Sequence, residues 1–309
     1  MRNPIIVIGS LNMDLVALSP RIPRPGETIL GHEFRTAPGG KGANQAVAAA
    51  RLGGSVSMVG RVGADDFGDA LLENLRANNV AQERVLRDAE AATGVAIIVV
   101  DDRGENSIVV LSGANMRLTP EDVIAAEPAI ARAGIMLLQL ESPLDAVMQA
   151  AALGRKHGVT VALNPAPARE LPRDLLALVD VMIPNETETE MLTGAPVADE
   201  ADMLAAAAEL RARGVGSVIL TLGGQGAFVV HDDIARLVPA FEVAPVDTTA
   251  AGDAFVGGFA VALAEGRPML EAVRWGNAAG ALAATGLGAQ PSLPQRAALQ
   301  SLLASRPVD

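Results

Sequence analysis

A repeating unit organises this chain: a short apolar run, a glycine-rich or polar turn, then a longer segment of helical spacing. Apolar runs at Ile5–Ile8, Ser55–Val59, Ile135–Leu140, Thr160–Leu163, Val181–Ile183 and Val218–Leu222 are the expected strands. Helices are expected over Ala43–Leu52, Phe67–Asn78, Pro120–Ala131, Leu144–His157, Asp202–Arg213, Ala254–Ala264 and Leu270–Ala284. Continuous apolar runs belong to strands buried on both faces, so this order predicts an α/β fold with a mostly parallel sheet between helical layers. Such sheets hold ligands beyond the carboxyl ends of their strands, which makes the turns there the place to look for chemistry.

Two stretches break the unit. Met13–Arg35 lacks helical spacing and carries Pro20, Pro23 and Pro25 ahead of Gly26, while Val95–Val100 and Ser107–Leu111 read as a hairpin around Asp101–Asn106. Together they predict a small discontinuous β lid, about residues 13–38 and 94–111, on what is otherwise a single α/β domain of 309 residues. Such a flap would exclude water from a crevice or pair with a second subunit. Two ordinary surface loops are the plainer alternative.

Composition narrows the chemistry. The absence of Cys rules out disulfides, thiolate metal sites and Cys nucleophiles, and the three His are scattered. A formal charge of −12 and 2% aromatic residues argue against nucleic-acid binding. No apolar run approaches the roughly 20 residues of a membrane-spanning helix, and the first residues lack a signal-peptide core, so a cytoplasmic protein is expected. An anionic ligand would then depend on local dipoles and a counter-cation. Lys occurs only at 41 and 156, which singles out Lys41 inside a glycine-rich turn.

Several turns could carry chemistry. Gly39-Gly40-Lys41-Gly42-Ala43-Asn44 opens a helix, but Arg35 and Gly42 stand where a P-loop requires Gly and Ser or Thr. Asp247-Thr248-Thr249-Ala250-Ala251-Gly252-Asp253 places small residues ahead of a helix, a pattern that leaves amides open to an anion. Asp253 there is either a helix-start carboxylate or a base for a hydroxyl proton. Asn185 and Glu188 suit hydrated Mg²⁺, and they equally suit a capping box. Thr221 to Gly226 reads as a phosphate or purine-edge turn or as a tight hairpin, and Asn12, Asp14 and Glu141 are polar groups just after strands. An anion nest, a carboxylate, a magnesium-type pair and hydroxyl-binding groups converging on one crevice are the components of phosphoryl transfer.

GGKGANQAVAAARLG at 39–53 and DTTAAGDAFVGGF at 247–259 resemble the two signatures of the PfkB-type carbohydrate kinases. GSLNMD at 9–14, PGET at 25–28, QLESP at 139–143, LNPAPARELP at 163–172, PNETE at 184–188 and GAQPS at 288–292 resemble that family's ribokinase branch, along essentially the whole chain. The resemblance implies a ribokinase-like three-layer αβα fold with a β lid that clasps its counterpart in a homodimer. It also implies ATP-dependent phosphorylation of the ribose 5-hydroxyl. Carried over by position, Asp253 would be the base, with the amides of Ala250, Ala251 and Gly252 as anion hole. Asn12, Asp14, Gly40, Lys41, Asn44 and Glu141 would hold the sugar. Asn185 and Glu188 would organise Mg²⁺ and the triphosphate, and Thr221, Gly223, Gly226 and Asn277 would line the nucleotide site. A monovalent-cation site, usually for K⁺, would use Asp247, Thr249, Ala283, Gly286, Gly288 and Ser292.

The alternatives are a kinase of the same family acting on 2-deoxyribose, fructose or adenosine, a non-catalytic sugar-binding protein, and a dinucleotide-dependent oxidoreductase. The metal and phosphoryl machinery around Asp253, Asn185 and Glu188 argues against a pure sugar binder. The missing GxGxxG after any strand argues against the oxidoreductase.

Overall fold

A computed structural model describes residues 3–306. The first half contains β1 (Ile5–Ile8), β2 (Asn12–Leu18), β3 (Glu33–Gly39), α1 (Lys41–Arg51), β4 (Val56–Gly63), α2 (Asp66–Ala77), β5 (Val80–Asp88), β6 (Gly94–Val100), β7 (Asn106–Leu111), α3 (Pro120–Ala125), α4 (Glu127–Ile130), β8 (Ile135–Leu138) and α5 (Leu144–His157). There follow β9 (Thr160–Leu163), α6 (Arg173–Leu176), β10 (Val181–Met182), α7 (Glu186–Thr193), α8 (Glu200–Ala212), β11 (Ser217–Thr221), β12 (Gly226–His231), β13 (Ile234–Pro239), α9 (Ala251–Ala264), α10 (Met269–Ala283), α11 (Ala289–Ser292) and α12 (Arg296–Ser305).

Nine strands form the main sheet in the order β13-β12-β11-β10-β9-β8-β1-β4-β5, parallel except for the β11–β12–β13 meander. Side chains alternate across it. Ile5 and Val7 pack into one apolar core with Val47 of α1, Phe259 of α9 and Val273 of α10. Ile6 and Ile8 pack into the other, with Val123 of α3, Val147 of α5 and Leu210 of α8. Each fully buried Ile or Leu contributes about 1.5–3 kcal/mol of transfer free energy, so both helical layers are held by the same strands. A second sheet, β3-β2-β6-β7, stands apart from the first and is built from the two stretches that break the repeating unit. No helix among the described residues is long and apolar enough to cross a membrane.

The structure departs from the sequence reading in several places, β13 and α12 being further elements that were not expected. The helix expected over Pro120–Ala131 divides at Ala126, because Pro128 supplies no N–H to a continuous helix and instead sits in the first turn of α4. The strand β5 was not expected. It lies at the sheet edge, where Ala81, Glu83, Leu86 and Arg87 are exposed and Gln82 and Arg84 half-buried, which hides the apolar signal. Asn12 and Asp14 lie within β2 rather than in a loop, paired to Gly39 and Ala37 of β3.

Candidate active site

The start of α9 is the centre of the site. Ala250, its N-cap, has φ +59, a left-handed conformation that costs a non-glycine residue about 1 kcal/mol. The turn redirects the chain so that the first amides of α9 point out of the helix. Ala251 N–H donates to Thr248 O at 3.1 Å, so the expected three-amide hole needs correction: Ala251 closes the turn. The amides of Ala250, Gly252 and Asp253 have no acceptor among the described residues. Apart from its own helix turn, a Cβ at Gly252 would meet no atom of the described residues within 4 Å, so tertiary packing does not demand glycine there. Ala250, Gly252 and Asp253 line a cavity of about 220 Å³ with Lys41, Asn164, Asn185, Glu188, Thr221 and Thr248.

Asp253 is the third residue of α9, yet its side chain caps nothing. Oδ2 accepts from Asn44 Nδ2 at 2.9 Å and Oδ1 from Gln45 Nε2 at 3.0 Å. Burial pushes its carboxyl up, against the downward pull of Lys41 and the two amides. Asn44 spends its donor on Asp253 and keeps a buried Oδ1 without a partner among the described residues. A buried unpaired carbonyl is costly, and a ligand hydroxyl donating to it would remove the cost.

The groups expected to hold a sugar gather beside Asp253. Gly40, the N-cap of α1, has φ +86, and a Cβ there would collide with the backbone of Leu11 and Asn12. Gly39 is bare for another reason: a Cβ would collide with the Asp14 carboxylate. Burial, with Glu141 and Asp253 nearby, pushes the Asp14 carboxyl up to about 7. Glu141 Oε2 accepts from Ser10 Oγ at 2.5 Å and from Lys41 N–H at 3.0 Å, placing its charge at the positive end of α1. Burial pulls the Lys41 ammonium down, but Asp253, Glu141 and Glu188 outweigh it and hold it above the usual range. Asn12 Oδ1 accepts from Asn115 Nδ2 at 2.7 Å.

On the other side of Asp253, Asn185 and Glu188 form a reciprocal capping box at the start of α7, with 2.8 and 2.9 Å hydrogen bonds. The capping and metal readings are compatible. Oε2 of Glu188 is the oxygen that accepts from Asn185 N–H, which leaves Oε1 for a ligand in the cavity. No group of three His, Cys, Asp or Glu side chains among the described residues makes a metal cage. Thr221 bridges to Asn185 and donates its N–H to Pro184 O, so β11 ends beside the cap. Gly223 begins an exposed 3-10 turn, whereas Gly226 and Asn277 do not line the cavity. A Cβ at Gly226 would collide with Val238 O, and Asn277 Nδ2 donates to Val238 O and Pro239 O. Both residues hold the end of β13 in place.

The residues expected around a monovalent cation do converge. Asp247 Oδ1 accepts from Thr249 N–H and hydroxyl, and Oδ2 accepts from Gly288 N–H at 2.8 Å. Burial would raise the Asp247 carboxyl, but these hydrogen bonds outweigh it and hold the group low. Gly286 packs on Ser292 and donates to Ala283 O at 3.1 Å.

Sequence reasoning gave no role to Ser10, Gln45, Asn115, Gln139 or Asn164. A usable signal existed for Gln45 alone: a glutamine amid alanines on the buried face of α1 must find a polar partner in the core.

Residues 2–296 match the pfkB family of carbohydrate kinases. A ribokinase of Haemophilus influenzae is 44% identical over 296 residues, 96% of this chain and 97% of that one. A deoxyribokinase of Salmonella typhimurium is 41% identical, with 94% of this chain and 95% of that one covered. The structure of Arabidopsis thaliana ribokinase complexed with ribose and ATP matches with a TM-score of 0.92 at 35% identity, covering 98% of this chain and 99% of that one. By fold, by site and by likeness along its length, the chain belongs to the pfkB family of carbohydrate kinases.

Proposed function

We propose that this kinase transfers the γ-phosphoryl group of ATP to the 5-hydroxyl of ribose, giving ribose 5-phosphate and ADP. The observation that carries the reading is the pairing at the centre of the site: a buried Asp253 held as a hydrogen-bond acceptor, beside a buried Asn44 carbonyl that lacks a donor. Ligand hydroxyls supply the missing donors. Asn12, Asp14, Gly40, Lys41 and Glu141 surround the sugar end, and the relatives named ribokinase make ribose the first choice.

Asp253 accepts the hydroxyl proton as the bond from O5 to the γ-phosphorus forms and the bond to the bridging oxygen of ADP breaks. Its carboxylate is a weak base, which suffices because a loose phosphoryl-transfer transition state asks for little activation of the nucleophile. The open amides of Ala250, Gly252 and Asp253 receive charge on the transferring group. Three carboxylates (Asp253, Glu141 and Glu188) face one ammonium at Lys41, with Asp14 beside Glu141 and Asp253, so a triphosphate needs a compensating cation. Glu188 and Asn185 would hold Mg²⁺, through water, and Mg²⁺ supplies neutralisation of the triphosphate. Asp247, Thr249, Ala283, Gly286, Gly288 and Ser292 would hold K⁺ against the turn that carries Ala250. Thr221 and Gly223 border the nucleotide. The β3-β2-β6-β7 sheet serves as a lid and as the face of a homodimer, and a cytoplasmic location suits an ATP-dependent enzyme.

A coupled ADP-release assay across ribose, 2-deoxyribose, fructose and adenosine tests the assignment. Highest kcat/KM on ribose is expected. Preference for 2-deoxyribose would move the chain toward the deoxyribokinase that it matches nearly as well.

A further inference from the structure

Behind Asp253 the Gln45 amide is itself backed by a second buried amide, Gln139, which has no part in the steps above. Gln139, in the turn after β8, donates from Nε2 to Gln45 Oε1 at 2.5 Å. Gln45 Nε2 in turn donates to Asp253 Oδ1 at 3.0 Å and to Asn164 Oδ1 at 3.2 Å. Asn164 Nδ2 donates to Ile183 O at 2.9 Å. Gln45 and Gln139 are 0% and 1% exposed, and Gln139 Oε1 has no partner among the described residues. Gly9 makes the room, since a Cβ there would collide with that oxygen. A core that leaves an amide oxygen unpaired and keeps a glycine beneath it holds that amide for something other than stability.

An amide is a donor at one end and an acceptor at the other, so Gln45 suits a carboxylate in one sense only. Its Oε1 is occupied by Gln139, which turns the Gln45 NH₂ onto Asp253. Inversion would set a carbonyl oxygen against the carboxylate. We propose that Gln139 is a positioning residue for phosphoryl transfer, acting through Gln45 to hold Asp253 oriented and ready to accept a proton. This rests on Asp253 serving as the base. The hydrogen bond that Gln139 sustains favours the ionised carboxylate, opposing the upward push of burial. The other charged groups that face Asp253 are Lys41 from the start of α1, Glu141 after β8, Asp14 from β2 and Glu188 from α7, and none is altered by a change at 139.

The test compares the wild type with Gln139→Leu and Gln139→Met, both lacking the donor; Met keeps the unbranched shape should Leu fail to fold. The kcat is expected to fall about tenfold with ribose KM within about twofold, and the acid limb of the kcat–pH profile to move up by about one pH unit. A purely structural role would lower the melting temperature and scale kcat equally at every pH, and that result would overturn the proposal. A second readout needs no turnover. The ¹³C carboxyl resonance of Asp253, assigned with Asp253→Asn, should titrate at higher pH in Gln139→Met than in the wild type. Equal titration in the two proteins refutes the relay. Absence of wild-type turnover on every sugar would instead refute the proposed function, leaving the carboxyl titration to judge the relay by itself.

Discussion

A methyl group added at Gly252 should push stability and activity in opposite directions. Gly252 is the second residue of α9, and apart from its own helix turn a Cβ there would meet no atom of the described residues within 4 Å. Replacing a helical glycine by alanine gains about 0.5–1 kcal/mol through reduced backbone freedom in the unfolded chain, and a first-turn position suggests the lower end. At about 2.1 cal/mol/K per residue, the unfolding entropy of a chain this long turns 0.5 kcal/mol into a rise of about 1 °C in Tm. The effect on catalysis is much larger. A phosphoryl oxygen about 3 Å from the Gly252 N–H would lie in contact with the new methyl, and a displacement of about 1 Å costs on the order of a hundredfold in rate. Differential scanning fluorimetry and the ADP-release assay on Gly252→Ala read the two effects separately. A variant with an unchanged or slightly higher Tm and about a hundredfold lower kcat/KM for ATP agrees with close approach of the transferring group. Activity within about fivefold of wild type would refute it, because the methyl would then stand in space that no substrate atom uses.

Asp14 gives a pH dependence with a defined sign. Its carboxyl is raised from 3.8 to about 7 in the folded protein, so the stability tied to its protonated form is full below pH about 4 and lost as pH climbs through 7. The Tm of Asp14→Asn relative to wild type should therefore grow between pH 5 and 8, whereas the ribose KM of the wild type should fall over that range as an ionised acceptor becomes available; parallel Tm curves would count against the assignment. At the lid, Ile108 and Val110 of β7 are 51% and 48% exposed, and a double change to Lys should convert a dimer to a monomer in light scattering. An unchanged mass would remove β7 from the dimer face. For the cation loop, Asp247→Ala should abolish any stimulation by K⁺ over a bulky organic cation, and stimulation that survives the change would place the ion elsewhere.

Much of the frame is legible in the chain because it depends on local periodicity. The bounds of β1, α5 and β9 are those expected, and the lid hairpin agrees to within a residue. Where the reading missed, a non-local cause is at work. The polar face of β5 makes sense only at a sheet edge, and β2 forms around Asn12 and Asp14 because β3 and β6 pair with it. Ala251 looked like Ala250 and Gly252 as a small residue in a turn, and only the path of the backbone shows that its amide is already spent on Thr248.

The site divides in the same way. The side chains proposed to meet substrate stand in short motifs, and their chemistry could be named from residue type and position after a strand or before a helix. What those motifs cannot show is the state in which each group is held. Asn44 and Gln45 reach Asp253 across 209 and 208 positions, and Gln139 reaches Gln45 across 94. Hydrogen bonds of that span exist only after the sheet brings β8, α1 and α9 together, and they decide that Asp253 is an acceptor rather than a helix cap. The sequence alone determined the layered α/β plan and the groups available for chemistry, because periodicity and residue type are local. Packing decided which amides remain open, which carbonyl lacks a donor and how far burial shifts each carboxyl, because those depend on neighbours distant in the chain.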